Sequence, residues 1–535
     1  MSNTKACYRV TLVLVTLLAM VCLQAAAAVD PGNADEAEVD SQKPVAEQRN
    51  LLAASNRSVT RHELIIGARK LGYAATAASL DVGNEKAEQV GRMFYISYTA
   101  DKSSDAERPL TFVFNGGPGA ASAYLHMGAL GPKRAVFADD GRVLPMPASL
   151  QDNEHSWLAF TDLVFVDPIG TGYSREFPKP ADKSSGKDVA SSGDERPNGR
   201  AWGVEEDVDA LARFIRAYLT QEGRWLSPLY LAGESYGGFR VARLASLLQS
   251  DFGIAPSGLV LISPALDFSL LWGDERSLWP WVALLPSYTA VAAYHGRGEN
   301  FAYRPESPRV ALEAGEQFAR TGYLTGLAGG NQAAWLKQAS RFTGVDAELL
   351  QRWNGRVSPS RYAKALLQEQ SRLVSLYDGS ISLVDPDPKQ PMLSGGDPYL
   401  ERLNVPVTAA FNSYVRDDLA FRTDLPYLLL NEEVFESWNW RPGIQGRQGF
   451  VEAVADLKRA MSVNPDLQVL VTHGVFDLAT PYFASVIAIE QLDLDPTLQA
   501  NIRLKVYHGG HMPYLHQQSR LALFEDARDF YRSIP

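Results

Sequence analysis

Cysteine is almost absent from this chain: of 535 residues only Cys7 and Cys22 carry a thiol. Both lie among the first 28 residues, so the rest of the chain can form neither a disulfide nor a cysteine-ligated metal site. The sequence also lacks an evident metal-ligand cluster, dinucleotide-binding fingerprint or phosphate-binding loop, and we therefore expect no cofactor and no metal. A chain of this length can be stabilised by its hydrophobic core alone.

Positive charge is in short supply. Lysine and arginine number 51 against 62 aspartates and glutamates, which gives a formal net charge of -11. An acidic chain offers no electrostatic attraction to nucleic acid or to an anionic membrane surface. We therefore expect no nucleic-acid partner.

Long apolar runs are also scarce, and the clearest one lies at the N-terminus. Lys5 and Arg9 precede the run Val10–Leu23, which is followed by several alanines. This pattern predicts a secretory signal peptide, and the run is short for a membrane-spanning helix. Because the bulky Val21 precedes Cys22, lipid attachment at that cysteine is disfavoured. We expect export to the periplasm or the exterior of a bacterium, with no membrane-spanning segment after cleavage.

Most of the chain alternates between apolar runs and amphipathic stretches. Strand-like runs occupy about 93–99, 110–115, 162–167, 229–232, 258–263, 467–474 and 502–510. The stretch Val204–Leu219 repeats its apolar residues at helical spacing, and a second helical stretch follows Phe239. Alternating strands and helices predict an α/β fold with a mostly parallel central sheet covered on both faces.

Two stretches depart from this alternation. One, rich in Trp, Tyr, Arg and Gln, has mainly helical patterns, and we interpret it as a cap inserted over the C-terminal edge of the sheet. The other is polar and has few large apolar residues, which indicates a disordered linker. The predicted division is a signal peptide at 1–28, the linker at 29–54, core at 55–266, an inserted helical cap at 267–403 and further core at 404–535.

A candidate nucleophile lies between a short apolar strand and an amphipathic helix. The segment Gly233-Glu234-Ser235-Tyr236-Gly237 matches G-x-S-x-G. In that pattern a serine occupies a strained strand-to-helix turn, from which its hydroxyl can attack a carbonyl carbon. The same five residues could form an ordinary glycine-rich turn, so the other catalytic groups have to decide between the two interpretations.

A base and an acid follow in the required order. In α/β-hydrolases the serine, the acid and the histidine occur in that order, each after a strand. Asp477 follows the run at 467–474, and His508 and His511 accompany the end of the last run. We expect His511 to be the general base, because it lies farther into a Gly-Gly-His turn, and Asp477 to orient it.

An oxyanion formed during acyl transfer needs backbone N–H donors. The residue after the nucleophile, Tyr236, supplies one such donor. The loop Asn115–Gly119 follows an earlier strand, and its glycines allow close approach, so the Gly117 N–H is the candidate for the second donor. As a bland alternative, this loop is only a turn.

Several blocks of the sequence resemble the signature blocks of the serine carboxypeptidase family, in particular its bacterial branch. They are Asn115–Gly119, Asp167–Ser174, Gly233–Gly238 and Gly510–Pro513, with a further similar element at Asp152–Trp157. The resemblance covers about 90–270 and 465–515. It implies an α/β-hydrolase fold and an enzyme that releases single residues from the C-terminus of peptides through an acyl-enzyme.

The resemblance also implies roles for individual residues. Ser235 is the nucleophile, His511 the base and Asp477 its orienting acid, while Gly117 and Tyr236 form the oxyanion hole. The residues implied to contact the substrate are Asn115, Gly116, Glu234 and Met512. Since two carboxylates in a dry cleft repel each other, Glu234 is expected to be protonated when a peptide carboxylate is bound, which favours acidic pH.

The chain departs from the family at two places. Ala120 stands where relatives usually have the first cysteine of a disulfide, and Ala129 stands where eukaryotic relatives have a second glutamate. His126 or Lys133 could take over from that glutamate.

Three functions therefore stay open: a carboxypeptidase acting on peptides with a free C-terminus, an esterase or acyltransferase of the same fold, and a non-catalytic binding protein. The sequence does not determine the oligomeric state.

Overall fold

The computed structural model describes residues 57–83, 88–101, 108–178, 201–272, 276–298, 309, 312–329, 332–440 and 450–534. The predicted signal peptide at 1–28 and linker at 29–54 lie outside the described residues, so both stay predictions. Within the described ranges, no helix has both the length and the apolar character needed to cross a membrane.

A ten-stranded mixed sheet forms the centre of the described fold. In chain order all the described strands are β1 (Ser58–Ile66), β2 (Arg69–Gly83), β3 (Gln89–Ala100), β4 (Leu110–Phe114), β5 (Lys133–Ala135), β6 (Leu150–Asp152), β7 (Asp162–Val166), β8 (Arg175–Glu176), β9 (Leu229–Glu234), β10 (Gly258–Ile262), β11 (Arg372–Val374), β12 (Ser382–Val384), β13 (Gln468–Gly474) and β14 (Ile502–Tyr507). Of these, the pairs β5 with β6 and β11 with β12 form separate two-stranded sheets. The order across the ten-stranded sheet is β1-β2-β3-β7-β4-β9-β10-β13-β14, with β8 beside β3. The strands from β7 to β14 along this order are parallel, and β1, β2, β3 and β7 pair antiparallel.

Helices cover both faces of the sheet. In chain order they are α1 (Ala123–Leu125), α2 (Val204–Gln221), α3 (Tyr236–Phe252), α4 (Trp279–Tyr294), α5 (Glu313–Phe318), α6 (Leu324–Leu327), α7 (Gln332–Thr343), α8 (Ala347–Arg352), α9 (Pro359–Ala365), α10 (Pro398–Ser413), α11 (Glu432–Glu436), α12 (Val454–Val463), α13 (Tyr482–Glu490), α14 (Pro496–Gln499) and α15 (Gln517–Arg532). The mostly parallel sheet with helices between its strands confirms the predicted α/β-hydrolase fold.

The central strands are apolar throughout because both of their faces are buried. On β4, Val113 belongs to one hydrophobic core cluster, and its neighbours Phe112 and Phe114 belong to the cluster on the opposite face. On β9, Ala232 and Leu231 divide in the same way. Successive side chains of a strand point to opposite faces, so a buried parallel strand cannot show polar alternation.

The predicted cap region contains the helices α4 to α9 and the start of α10. It also contains the two-stranded ribbon of β11 and β12, which the sequence pattern did not indicate. The predicted boundary at 403 falls inside α10, whose Tyr399 and Phe411 both join a core cluster that also contains sheet residues. Because one continuous helix crosses this boundary, the chain is already packed on the core before residue 404.

The carboxyl ends of the central strands meet at one edge of the sheet. Phe114 pairs with Gly233, Ile262 pairs with both Glu234 and Thr472, and Gly474 pairs with Tyr507. The loops that follow these strands therefore leave the sheet at the same level, which is where open α/β sheets carry their sites.

Candidate active site

Ser235 occupies the turn between β9, which ends at Glu234, and α3, which begins at Tyr236. Its backbone has φ 61° and ψ -125°, a region that residues with a side chain rarely adopt. The Ser235 N–H donates to Ile262 O at 2.9 Å, and the Ala265 N–H donates to Ser235 O at 3.1 Å. These hydrogen bonds hold the strained turn that the sequence pattern predicts.

Glycines let the loops around Ser235 approach one another closely. A Cβ added to Gly233 would collide with the Gly237 carbonyl. A Cβ added to Gly116 would lie 2.6 Å from Tyr236 N and 2.8 Å from the Ser235 Cβ. The loop after β4 is therefore pressed directly against the turn of the candidate nucleophile, as an oxyanion loop has to be.

His511 and Asp477 form a buried hydrogen-bonded pair. His511 Nδ1 lies 2.8 Å from Asp477 Oδ2, and the exposed fractions of the two side chains are 4% and 0%. Asp477 Oδ1 accepts hydrogen bonds from the Ala479 N–H at 2.8 Å and the Thr480 N–H at 2.9 Å. The Thr480 hydroxyl lies 2.7 Å from Oδ2. A carboxylate held at both oxygens fixes the orientation of the imidazole.

The contact with Asp477 leaves the other ring nitrogen of His511 for chemistry. Because Nδ1 donates to the carboxylate, Nε2 is the unprotonated nitrogen of the neutral ring. The His511 N–H donates to Tyr377 O at 2.5 Å, and the two rings stand perpendicular with centroids 5.2 Å apart. Burial by itself lowers the pKa of His511, but the carboxylates of Asp477 and Glu234 outweigh it, so this pKa is raised.

Ser235 and His511 line the same cavity, which has a volume of about 70 Å³. The remaining lining residues are Asn115, Gly116, Gly117, Ala120, Tyr124, Glu234, Tyr377, Leu400, Leu430 and Met512. Of the predicted site residues, only Asp477 and Tyr236 are outside this lining, and they adjoin His511 and Ser235. The Tyr236 N–H is at the first position of α3, where the helix supplies no acceptor. The cavity walls formed by described residues contain no lysine or arginine.

Glu234 is the buried carboxyl group of the cavity, with an exposed fraction of 1%. Its Oε2 accepts a hydrogen bond from the Asn115 side-chain amide. The Tyr514 hydroxyl donates to Oε1 and Oε2, at 2.9 and 3.0 Å. Asn115 is itself held by the Leu125 N–H, which donates to its Oδ1 at 3.0 Å. The Glu234 carboxyl group is therefore fixed in one orientation at the cavity wall.

Burial raises the pKa of Glu234 to about 7. The positive charge of His511 and the hydrogen bonds from Tyr514 and Asn115 oppose this shift, while the charge of Asp477 adds to it. Desolvation prevails because no cation pairs with the carboxylate among the contacts of the described residues. Glu234 therefore changes its protonation state near neutral pH.

The structure brings three unforeseen side chains to the site. Tyr514 contacts Glu234, and Tyr377 contacts His511. The third is Arg240 of α3, which is 1% exposed and pairs with Asp207 at 2.6 Å. The Arg240 Nη1 donates to Asn115 O at 2.5 Å and to Gly116 O at 3.2 Å, which ties the oxyanion loop to α3. A buried cation donating to two carbonyls fixes that loop.

The expectation that His126 or Lys133 replaces the missing glutamate is wrong. His126 is buried away from the cavity lining, with its ring stacked on Phe165 at 4.2 Å and Nε2 2.7 Å from the Tyr98 hydroxyl. Lys133 pairs with Asp152 at 2.6 Å. Both side chains have partners elsewhere in the fold.

Tyr514 occupies the neighbourhood of residue 129 instead. A Cβ added to Gly128 would lie 2.5 Å from the Tyr514 ring, and Ala129 is buried beside it in the chain. The hydroxyl of a tyrosine from the C-terminal loop is therefore the group that contacts Glu234 from this direction. Nothing in the local sequence around Ala129 could have identified it, because the two residues are far apart in the chain.

His508, the alternative histidine, lies outside the cavity lining. Its ring packs 5.2 Å from Phe476 and 5.0 Å from His516, measured between centroids. Of the two candidate histidines, His511 is the one that contacts Asp477. Within the described residues, no three His, Cys, Asp or Glu side chains are grouped as a metal site.

Comparisons with known proteins identify similar sequences. Residues 74–252 match the family model described as serine carboxypeptidase. The chain is 32% identical over 157 residues to the pheromone-processing carboxypeptidase KEX1 of Yarrowia lipolytica, covering 29% of this chain and 21% of that protein. It is 24% identical over 226 residues to serine carboxypeptidase-like 45 of Arabidopsis thaliana, covering 41% and 42%. The matches thus span less than half the length of these relatives.

A comparison with solved structures matches the chain to VinJ, at 16% identity and a TM-score of 0.35 over 86% of this chain and 99% of the other. A second is the proline iminopeptidase of Mycobacterium smegmatis, at 14% identity and a TM-score of 0.35 over 85% and 100%.

Proposed function

Since residues 74–252 match the serine carboxypeptidase family model, we propose that this protein is a serine carboxypeptidase that removes the C-terminal residue of peptides. The observation that carries the proposal is the His511–Asp477 pair, whose imidazole lines the same cavity as Ser235. A serine in a strained turn, an oriented base and a buried acid are the groups that acyl transfer needs.

In the proposed reaction, His511 Nε2 takes the proton of the Ser235 hydroxyl as Oγ attacks the scissile carbonyl carbon. The carbonyl oxygen becomes an oxyanion, which the N–H groups of Gly117 and Tyr236 stabilise. The imidazolium then gives its proton to the leaving amine as the C–N bond breaks. Water, deprotonated by His511, hydrolyses the resulting ester and restores Ser235.

Glu234 is the proposed receptor for the substrate's terminal carboxylate. The cavity walls formed by described residues contain no lysine or arginine, and His511 must be neutral to act as the base, so in the active protein the carboxylate is accepted by neutral donors. Protonated Glu234 is such a donor, whereas ionised Glu234 repels the ligand. Because its pKa is raised to about 7, binding should be strong below neutral pH and should weaken above it.

His511 sets the opposite limit. It must be neutral to accept a proton, and its raised pKa makes it cationic at low pH. Protonation of Glu234 removes one of the charges that raise the pKa of His511, so the two groups titrate as a coupled pair. We expect kcat to fall in acid and KM to rise in alkali, which places the preferred pH on the acidic side of neutral.

One peptide in two forms tests the proposal. The protein would be incubated with the free acid and with the C-terminal amide at about pH 5, 7 and 8, and masses would be followed over time. We expect stepwise loss of single residues from the free acid only, and no loss with Ser235→Ala.

Equal attack on the amide would overturn the exopeptidase proposal in favour of an esterase or acyltransferase. Failure of a fluorophosphonate to label Ser235 would favour a non-catalytic binding protein.

Export is a separate proposal, supported by Lys5, Arg9 and the apolar run Val10–Leu23. We propose cleavage near residue 28 and release into the periplasm or the exterior. The N-terminal sequence of the protein recovered from these compartments tests it, and an intact N-terminus in the cytoplasm would overturn it.

A further inference from the structure

Glu234 accepts hydrogen bonds from an amide group and from a hydroxyl group. The Asn115 amide nitrogen can only donate, and it does so to Oε2. The Tyr514 hydroxyl lies almost equally far from Oε1 and Oε2, at 2.9 and 3.0 Å. A hydroxyl between the two oxygens can bond whichever one is unprotonated. Titration of Glu234 therefore leaves its carboxyl group in place.

Tyr514 is itself rigidly held. It is 0% exposed, it lies in the short 3-10 helix Pro513–Leu515, and its carbonyl accepts from Arg520 Nη1 at 3.2 Å. Its ring packs against Gly128, where a Cβ would come within 2.5 Å. A hydroxyl on so closely packed a ring keeps its position against the Glu234 carboxyl group. Tyr514 lies three residues beyond His511 in the same loop.

We propose that Tyr514 is a positioning residue that fixes the Glu234 carboxyl group and sets the pH above which the cavity stops accepting an anionic group. The proposal rests on the proposed function in one respect, namely that the anionic group is the terminal carboxylate of a peptide. While Asn115 and Tyr514 both donate to Glu234, the proton of the neutral acid is left for a ligand in the cavity to accept.

The direction of the effect follows from which state Tyr514 stabilises. A donated hydrogen bond favours the ionised carboxylate, and burial favours the neutral acid. The result of this competition is the pKa of about 7 at Glu234. The other titratable groups that face Glu234 are His511, Asp477, Tyr124 and Tyr377. Removing the Tyr514 hydroxyl leaves all four in place and strengthens the preference for the neutral acid.

Tyr514→Phe tests this with the full-length protein. We expect the rise of KM for a free-acid peptide to move upward by about one pH unit, because a hydrogen bond to a charged group is lost. At about pH 5, where Glu234 is protonated in both proteins, kcat should change less than about threefold. A merely structural loss would lower kcat at every pH and leave the position of the KM rise unchanged, which would overturn the proposal.

Two further variants serve as a non-titrating reference and as a control for the loss of a buried hydroxyl. Glu234→Gln should remove the alkaline rise of KM, because an amide does not titrate in this range. Tyr507→Phe is the matched control, since the Tyr507 hydroxyl donates to Asp526 Oδ2 at 2.8 Å on α15, outside the cavity lining. A pH shift in Tyr507→Phe equal to that in Tyr514→Phe would contradict a local effect on Glu234.

An infrared titration separates this proposal from the proposed function. The absorption of the protonated Glu234 carboxyl group, identified by its loss in Glu234→Gln, can be followed against pH without any substrate. It should persist to higher pH in Tyr514→Phe than in the wild type, even if no peptide is cleaved. If Tyr514→Phe fails to fold, replacement of tyrosine by 3-fluorotyrosine, a stronger donor, should lower the titration midpoint. An unchanged midpoint would overturn the proposal.

Discussion

The histidines of two buried histidine–aspartate pairs lie five residues apart in the C-terminal part of the chain, and of the two only His511 lines the cavity described above. His511 Nδ1 is 2.8 Å from Asp477 Oδ2, and His516 Nε2 is 2.7 Å from Asp378 Oδ2. All four side chains are at most 5% exposed. By distance and burial alone, the two pairs are equivalent.

The surroundings of the two rings differ. His511 lines the cavity with Ser235. The His516 ring packs against the His508 ring and closely against two glycines, since a Cβ on Gly141 would come within 2.9 Å of it and one on Gly509 within 3.0 Å. The hydrogen bond to aspartate does not by itself make a histidine a candidate for catalysis. The rest of the imidazole ring must also face a cavity that contains a nucleophile, as that of His511 does.

Asp378 joins two distant parts of the chain. Its Oδ2 also accepts from the Gly510 N–H at 3.1 Å, and its Oδ1 accepts from the Ser380 N–H at 3.0 Å and hydroxyl at 2.6 Å. The residue before it, Tyr377, accepts from the His511 N–H. The His516–Asp378 pair thus connects the predicted cap to the loop that carries His511.

Activity should separate the two pairs most strongly. Asp477→Asn should lower kcat by about 10⁴, because an amide supports the wrong tautomer of His511. Asp378→Asn should lower kcat less than about tenfold, since Asp378 does not contact the reacting ring. The rate of fluorophosphonate labelling and kcat on a free-acid peptide both report this. Equal losses in the two variants would break the distinction.

Stability should not separate them. Each aspartate accepts from its histidine and from other backbone or hydroxyl donors, so each asparagine variant should lose about 2 kcal/mol of unfolding free energy. Urea unfolding at about pH 7 measures both. A gain in stability in Asp477→Asn alone would show that the site is strained for the sake of its chemistry.

Acid should reveal the contribution of Asp378. Burial opposes its ionisation, but the charge of His516 and the donated hydrogen bonds outweigh burial, so its pKa is lowered in the folded protein. A lowered folded-state pKa gives stability above the ordinary value, which is lost as the pH falls through the folded value.

The difference in unfolding free energy between the wild type and Asp378→Asn should therefore be constant above about pH 4 and should close below it. A difference that stays constant down to about pH 2 would contradict this, and a Ser380→Ala variant would show how much of the effect passes through the hydroxyl.

The fold, and the grouping of the candidate triad residues at one edge of the sheet, could be predicted because their signals are local. Parallel strands that end at one edge bring Asn115, Ser235, Asp477 and His511 together whatever lies between them. The G-x-S-x-G pattern needs only five neighbouring residues. These features can be recognised in a single sequence because each depends only on a strand end and on the residues next to it.

The residues that were missed act across long separations. Tyr514 contacts Glu234 over 280 positions, Arg240 contacts Asn115 over 125, and His516 contacts Asp378 over 138. No periodicity or motif records such contacts. The ribbon of β11 and β12 escaped for another reason, since three-residue strands are too short to show alternation.

The smallest expected effect concerns His508, which lies three residues before His511 and is a member of neither pair. Burial, with the nearby charge of His516, lowers its pKa to about 4 against the opposing charge of Asp378. A lowered histidine pKa means that the unfolded chain binds the proton more readily, so stability falls as the pH drops from about 6.5 to about 4. His508→Phe keeps a ring beside Phe476 and removes this proton. Between these pH values the unfolding free energy of His508→Phe should fall less steeply than that of the wild type, because unfolding of the variant takes up as much as one proton fewer. Its kcat at neutral pH should stay within about twofold of the wild-type value. Parallel stability curves for the two proteins would show that His508 does not carry this acid sensitivity.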